Sequence, residues 1–219
     1  PNAKNFLSMM GTDAGRKAMI GDALKYSADP ATKLTKLHHS VADAVKRISN
    51  LEFDKTRTPP QQHQAGRKIA EATVAKINKT RAELKSWAAN ETSAAMAEVD
   101  AKLAPSVDTA AQVVRSEIRA FVLSKKGDPE FTTELRGLVE ADLRFATALL
   151  EAPAALSGIS NERLESLRLH AAAAHAPEAA ERVSVAAEVA GLDANLAKVA
   201  AELPRSFYYS NIETGLSSH

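Results

Sequence analysis

The chain has 219 residues, 45% hydrophobic and 25% charged, which is enough apolar material to bury a core and too much for a wholly disordered chain. It contains no cysteine, which excludes disulfides, thiolate catalysis and Cys-ligated zinc, and no run of about 20 apolar residues that could span a bilayer. The net charge of +1 conceals a division: residues 1–126 hold 21 Lys and Arg against 13 Asp and Glu, whereas residues 127–219 hold 7 against 14.

That polarity suits phosphate contact by the basic part, or electrostatic pairing of basic with acidic parts within or between subunits. An aromatic content of 5% gives little support to a base-stacking platform.

Residues 1–28 read as an N-terminal arm. An apolar cluster of Phe6, Leu7, Met9 and Met10 precedes Thr12 or Asp13, either of which can N-cap a short helix running to about Tyr26. Met19, Ile20, Ala23 and Leu24 form its apolar face, and the mixture of Asp22 with Arg16, Lys17 and Lys25 opposite suits a protein contact rather than a membrane surface. Asp29-Pro30 starts a second helix that reaches about Phe53, with Leu34, Leu37, Val41, Ala44, Ile48 and Leu51 in three-four spacing. The polar connector from Asp54 to Pro60 is short enough to fold the next helix back along it.

That next helix is the longest. Between Pro60 and Pro105 only Gly66 interrupts good helix formers, and Ala70, Val74, Ile77, Leu84, Ala88, Ala95, Val99 and Leu103 recur at helical spacing, which predicts a helix over Gln61–Ala104. At 1.5 Å per residue it extends roughly 65 Å. Its later apolar steps alternate seven and four, an eleven-residue rhythm that gives a nearly straight seam. Trp87 is the one large side chain in its alanine-rich second half.

Asp108 caps a helix carrying Ala110, Val114, Ile118, Phe121 and Val122, closed by Lys125-Lys126-Gly127. Asp128-Pro129 starts another, predicted to run unbroken past Phe131, Leu135, Leu138, Val139, Ala146, Leu149 and Leu150 until Pro153. Ser160 caps an alanine-rich helix to about His175. Pro177 opens the last helix, where Val185, Val189, Leu192, Leu196, Val199 and Leu203 keep a heptad that Pro204 is expected to end. Residues 204–219 form a tail whose Phe207, Tyr208, Tyr209 and Ile212 have no helical period; it is predicted to be extended and to insert into a partner.

These elements predict an all-α protein, an elongated antiparallel helical bundle organised around one long central helix. Its expected parts are the arm 1–28, a basic hairpin with the long helix over 29–126, an acidic helical part over 127–203, and the tail 204–219.

Chemistry is harder to find. His38, His39 and His63 lack a His-x-x-x-His or Glu-x-x-His partner, and adjacent histidines on a helix diverge by about 100°, so no metal is expected. His175 is better placed to meet helix C-terminal carbonyls than to pair with His170. Glu140 with Arg136 and Arg144 reads as an i, i±4 salt-bridge ladder, not as an acid/base dyad with Asp142. The stretch Gly11 to Lys17 lacks the Gly-Lys-Ser/Thr ending of a phosphate loop, and no Gly-x-Ser-x-Gly elbow occurs. No catalytic residue, cofactor or metal is therefore predicted, nor an enzyme.

The expected function is that of a non-enzymatic structural or assembly subunit, a component of a phage-like virion or other large particle, made in the cytoplasm without a standard secretion signal. Trp87, Phe207, Tyr208, Tyr209 and Ile212 are its candidate interface anchors, with further copies of itself or other assembly proteins as partners. The alternative is a nucleic-acid-associated protein. The basic surface runs through Lys33, Lys36, Lys46, Arg47, Lys55, Arg57 and Lys85, and Arg67, Lys68, Lys76, Lys79 and Arg81 are the candidate phosphate contacts. No membrane insertion or small-molecule substrate is expected.

Overall fold

Helix starts and stops written in the sequence set the element order of the computed structural model. It describes Met9, residues 11–22, 25–51 and 53–206, with the backbone alone for Arg205 and Ser206. The helices are α1 (Asp13–Ile20), α2 (Ala28–Leu51), α3 (Pro59–Lys102), α4 (Thr109–Ser124), α5 (Pro129–Ala141), α6 (Leu143–Leu150), α7 (Asn161–His175) and α8 (Pro177–Ser206), with a 3-10 turn at Ala154–Leu156. The described residues contain no strand, and the fold is an all-α helical bundle.

Side-chain caps fix several starts. Thr12 Oγ1 accepts from the Gly15 amide at 3.1 Å, Asp128 Oδ1 from the Glu130 and Phe131 amides, and Ser160 Oγ from Arg163. Each cap is worth about 1 kcal/mol. Both Pro59 and Pro60 sit in the first turn of α3, where a missing N–H costs no intrahelical bond.

Three boundaries differ from expectation. The first helix stops at Ile20 rather than near Tyr26, because Gly21 takes φ 59°, a left-handed conformation in which its N–H still closes on Lys17 O. The helix expected over 129–150 is two, α5 and α6. Asp142 interposes an extended residue (φ −131°, ψ 114°), and its carboxylate accepts from the Arg144 amide at 2.8 Å, a local bond that competes with the helix ladder. Pro204 does not end the last helix but lies inside α8, two residues before its last described residue, Ser206, and so forgoes the bond an N–H would make to the carbonyl of Ala200.

The chain divides into two compact units, Pro1–Ala89 with Ala186–His219, and Asn90–Val185. It passes from one to the other within α3 and returns within α8. The first unit carries 18 Lys and Arg against 12 Asp and Glu, the second 10 against 15.

In the first unit the heptad positions are the buried ones. Leu34, Leu37, Val41, Ala44 and Ile48 of α2, Ala70, Ile77, Leu84 and Ala88 of α3, and Val189, Leu192, Leu196, Val199 and Leu203 of α8 are all buried. Between α3 and α8, Arg81 forms a two-pronged ion pair with Asp193, Nε to Oδ1 at 2.7 Å and Nη2 to Oδ2 at 3.0 Å. That pair holds the Asp193 carboxyl below its ordinary range, chiefly through the hydrogen bond from Arg81.

In the second unit a single core gathers Val99 of α3, Val122 of α4, Phe131, Leu135 and Val139 of α5, Leu149 of α6, and Leu167 of α7. Ion pairs brace it: Arg182 reaches Glu91 (2.5 Å) and Glu98 (2.7 Å), and Arg168 meets Asp100. Of the expected ladder, Glu140 keeps Arg136 at 2.8 Å, but Arg144 turns to Asp142 because the helix breaks between them. Glu140 also meets His170 Nδ1 at 3.1 Å. His175 Nε2 lies 2.8 Å from Val139 O, a last-turn carbonyl of the neighbouring α5.

The face of α4 is the largest departure. Sequence hydrophobicity points Ala110, Val114, Ile118, Phe121 and Val122 inward. The structure buries Arg115 and Val122, half-buries Ile118 and Arg119, and leaves Ala110, Val114 and Phe121 exposed. The cause is the ion pairing of Glu151, whose Oε2 stands 2.6 Å from Arg115 Nε and 3.7 Å from Arg119 Nη1, while Arg119 also donates to Ala148 O at 3.2 Å. Bringing both guanidiniums to this one carboxylate turns the helix so that much of its apolar material faces outward.

Candidate docking groove

The connector 53–58 turns α3 back along α2. Thr58 N donates to Gln61 Oε1 at 2.9 Å and Gln62 Nε2 to Asp54 O at 2.8 Å, fixing the start of α3. Above this turn the two helices flank a groove of about 880 Å³. Ser40, Asp43, Ala44, Arg47 and Leu51 of α2 recur every three or four residues, as do Ala65, Lys68, Ile69, Ala72, Thr73 and Lys76 of α3, so each helix gives one face to it.

The lining has two chemistries. Ala44, Leu51, Ala65, Ile69 and Ala72 supply apolar surface, and the buried Thr73 hydroxyl is consumed by Ile69 O at 2.7 Å. Around them stand Lys46, Arg47, Arg57, Lys68 and Lys76, against Asp43 as the lone carboxylate of the lining. Arg57 is engaged by Asp54 at 3.1 Å. The Asp54 carboxyl lies below its ordinary range, held there first by the Thr56 hydroxyl and then by the Thr56 amide, with Arg57 adding to the effect. Among the described residues Lys46, Arg47, Lys68 and Lys76 have no carboxylate partner.

This separates the five candidate phosphate contacts. Lys68 and Lys76 face the groove, whereas Arg67 pairs with Glu71 at 2.9 Å, Lys79 lies 3.9 Å from Glu83, and Arg81 is held by Asp193. The chain matches no protein family model, and no curated protein or solved structure shows significant similarity to it.

Sequence inspection placed Lys46, Arg47 and Arg57 on the basic surface without singling them out. What marks them is visible only when α2 and α3 are laid antiparallel, bringing 40–51 opposite 65–76.

Of the candidate interface anchors, Trp87 is half-buried on α3, while Phe207, Tyr208, Tyr209 and Ile212 lie outside the described residues. His38 is buried, and its ring stands 6.0 Å from that of His39 at an interplanar angle of 55°. Among the described residues no three His, Asp or Glu side chains converge as metal ligands, and no helix is long and apolar enough to cross a membrane.

Proposed function

We propose that this protein is a non-enzymatic subunit of a larger protein assembly, and that the groove between α2 and α3 is its docking surface for an acidic partner. The supporting observation is the lining itself: four cations with no carboxylate partner among the described residues, set around an apolar floor. Covering such a floor contributes roughly 25 cal/mol per Å² of apolar surface, and the surrounding cations select an acidic partner and speed its approach. An amphipathic helix bearing carboxylates meets both demands. A phage-like virion is one setting for such a subunit.

The test compares wild type with a Lys68→Glu/Lys76→Glu variant, each recovered from the same source cells by gentle low-salt lysis and weighed by light scattering. Wild type in a complex of defined mass, with the variant released from it, supports the proposal. Recovery of wild type only as a free monomer refutes it.

A second reading, phosphate binding in a nucleic-acid-associated protein, is favoured by the excess of cations in one groove. If Lys46, Arg47, Lys68 and Lys76 each displace a counterion from duplex DNA, log K falls against log salt with a slope of about −3.6. No duplex binding at low salt removes this reading.

A further inference from the structure

Resting on the assembly reading, we propose that the occupant of the groove is the outward face of α4 from a second copy of this chain, so that subunits join head to tail. The outward face of α4 is unusual. Val113, Val114 and Phe121 are 54%, 38% and 42% exposed, and Glu117, the helix's sole carboxylate, lies between them at helical spacing. Both arginines of α4 point the other way, into Glu151, so the nearest cations to that face are Lys125 and Lys126, beyond Phe121 at the helix's C-terminal end. Phe121 and Phe131 meet in a T-shaped pair, ring centroids 5.5 Å apart, which holds the partly exposed Phe121 ring in place.

The two surfaces are complementary. An apolar strip with one carboxylate matches an apolar floor with a surplus of cations, and each supplies what the other lacks. A phosphate backbone would satisfy the cations but leave Leu51, Ala65 and Ile69 wet, so the apolar floor favours a helix over nucleic acid. The groove and α4 are different patches, hence the contact is heterologous and propagates to a ring or an open filament.

The experiment uses nucleic-acid-free full-length protein, weighed by light scattering at low salt over a roughly hundredfold range of concentration. Two variants at exposed positions accompany wild type: Lys68→Glu/Lys76→Glu in the groove and Val113→Glu/Glu117→Lys on α4, each checked for native helix content by circular dichroism. Wild-type mass is expected to rise with concentration and each variant alone to stay monomeric. An equimolar mixture of the two variants is expected to form a one-to-one complex and nothing larger, because only one intact groove and one intact α4 face remain.

A mixture that stays monomeric while wild type associates overturns the pairing of these two surfaces. So does a wild type that stays monomeric throughout, whether or not it binds a short DNA duplex. If monomeric wild type nevertheless enters a groove-dependent complex in its source cells, the docking proposal stands and the second-copy inference alone falls.

Discussion

Replacing Glu151 with Gln isolates the interaction that sets the rotation of α4. The Arg115 side chain is 6% exposed and its Nε lies 2.6 Å from Glu151 Oε2, so the substitution leaves a buried guanidinium beside a neutral amide. Removing one partner of a fully buried pair costs about 3 to 5 kcal/mol. Glu151 is 35% exposed and Arg119 keeps its bond to Ala148 O, which lowers the expectation to about 2 to 3 kcal/mol. In a cooperative unit of about a hundred residues this corresponds to roughly 10 to 20 °C in Tm. Urea denaturation followed by circular dichroism gives the magnitude, and hydrogen exchange in peptides from α4 and α6 localises it to residues 90–185. The Arg115→Met/Glu151→Leu double variant removes both charges and should return to within about 1 kcal/mol of wild type. Refutation is a Glu151→Gln variant within about 0.5 kcal/mol of wild type, or a double variant less stable than the single one.

Acid stability should depend on Glu140. The hydrogen bond from Arg136, helped by the charges of Arg136 and His170, holds its folded-state pKa below the ordinary 4.5. Its contribution is therefore present above pH 4.5 and lost as pH falls through the lowered folded value, so Glu140→Gln should flatten the decline in stability measured over that acid range. Gly158→Ala should destabilise by about 1 to 2 kcal/mol, since Gly158 has φ 70° and an added Cβ would stand 2.9 Å from Leu123 Cδ1; an unchanged urea midpoint contradicts this. Deleting residues 205–219, which removes Phe207, Tyr208, Tyr209 and Ile212, should leave the circular dichroism of the bundle intact while abolishing assembly in source cells; normal assembly by the truncated chain removes those residues as anchors.

Most of the helical framework was legible because apolar spacing is a local signal. The stripes of α2 and α8 and the run Ala70, Ile77, Leu84, Ala88, Ala95, Val99 and Leu103 are buried as their periodicity requires, with Leu51, Val74 and Val185 only half-buried. Where a distant polar group decides, local spacing fails. Nothing near α4 announces that Arg115 will be drawn inward by Glu151, 36 residues away, or that Val114 and Phe121 will be left outside. The break at Asp142 is subtler: an aspartate in an otherwise helical run tips the balance through its bond to the Arg144 amide. The basic character of residues 33–85 was plain from composition, but not which cations were spent. Glu71 and Asp193 take up Arg67 and Arg81, and Lys68 and Lys76 stand out once α2 is laid beside α3.

The most direct measurement of the docking claim is lysine acetylation footprinting, read by mass spectrometry, on the assembled protein and on the same protein dispersed by high salt. Lys46, Lys68 and Lys76 line the groove, whereas Lys102 and Lys198 are exposed lysines outside both the groove and α4. Selective protection of the three groove lysines in the assembly, with Lys102 and Lys198 equally reactive in both states, is the expected result. Equal reactivity of Lys46, Lys68 and Lys76 in the assembled and dispersed protein would contradict it.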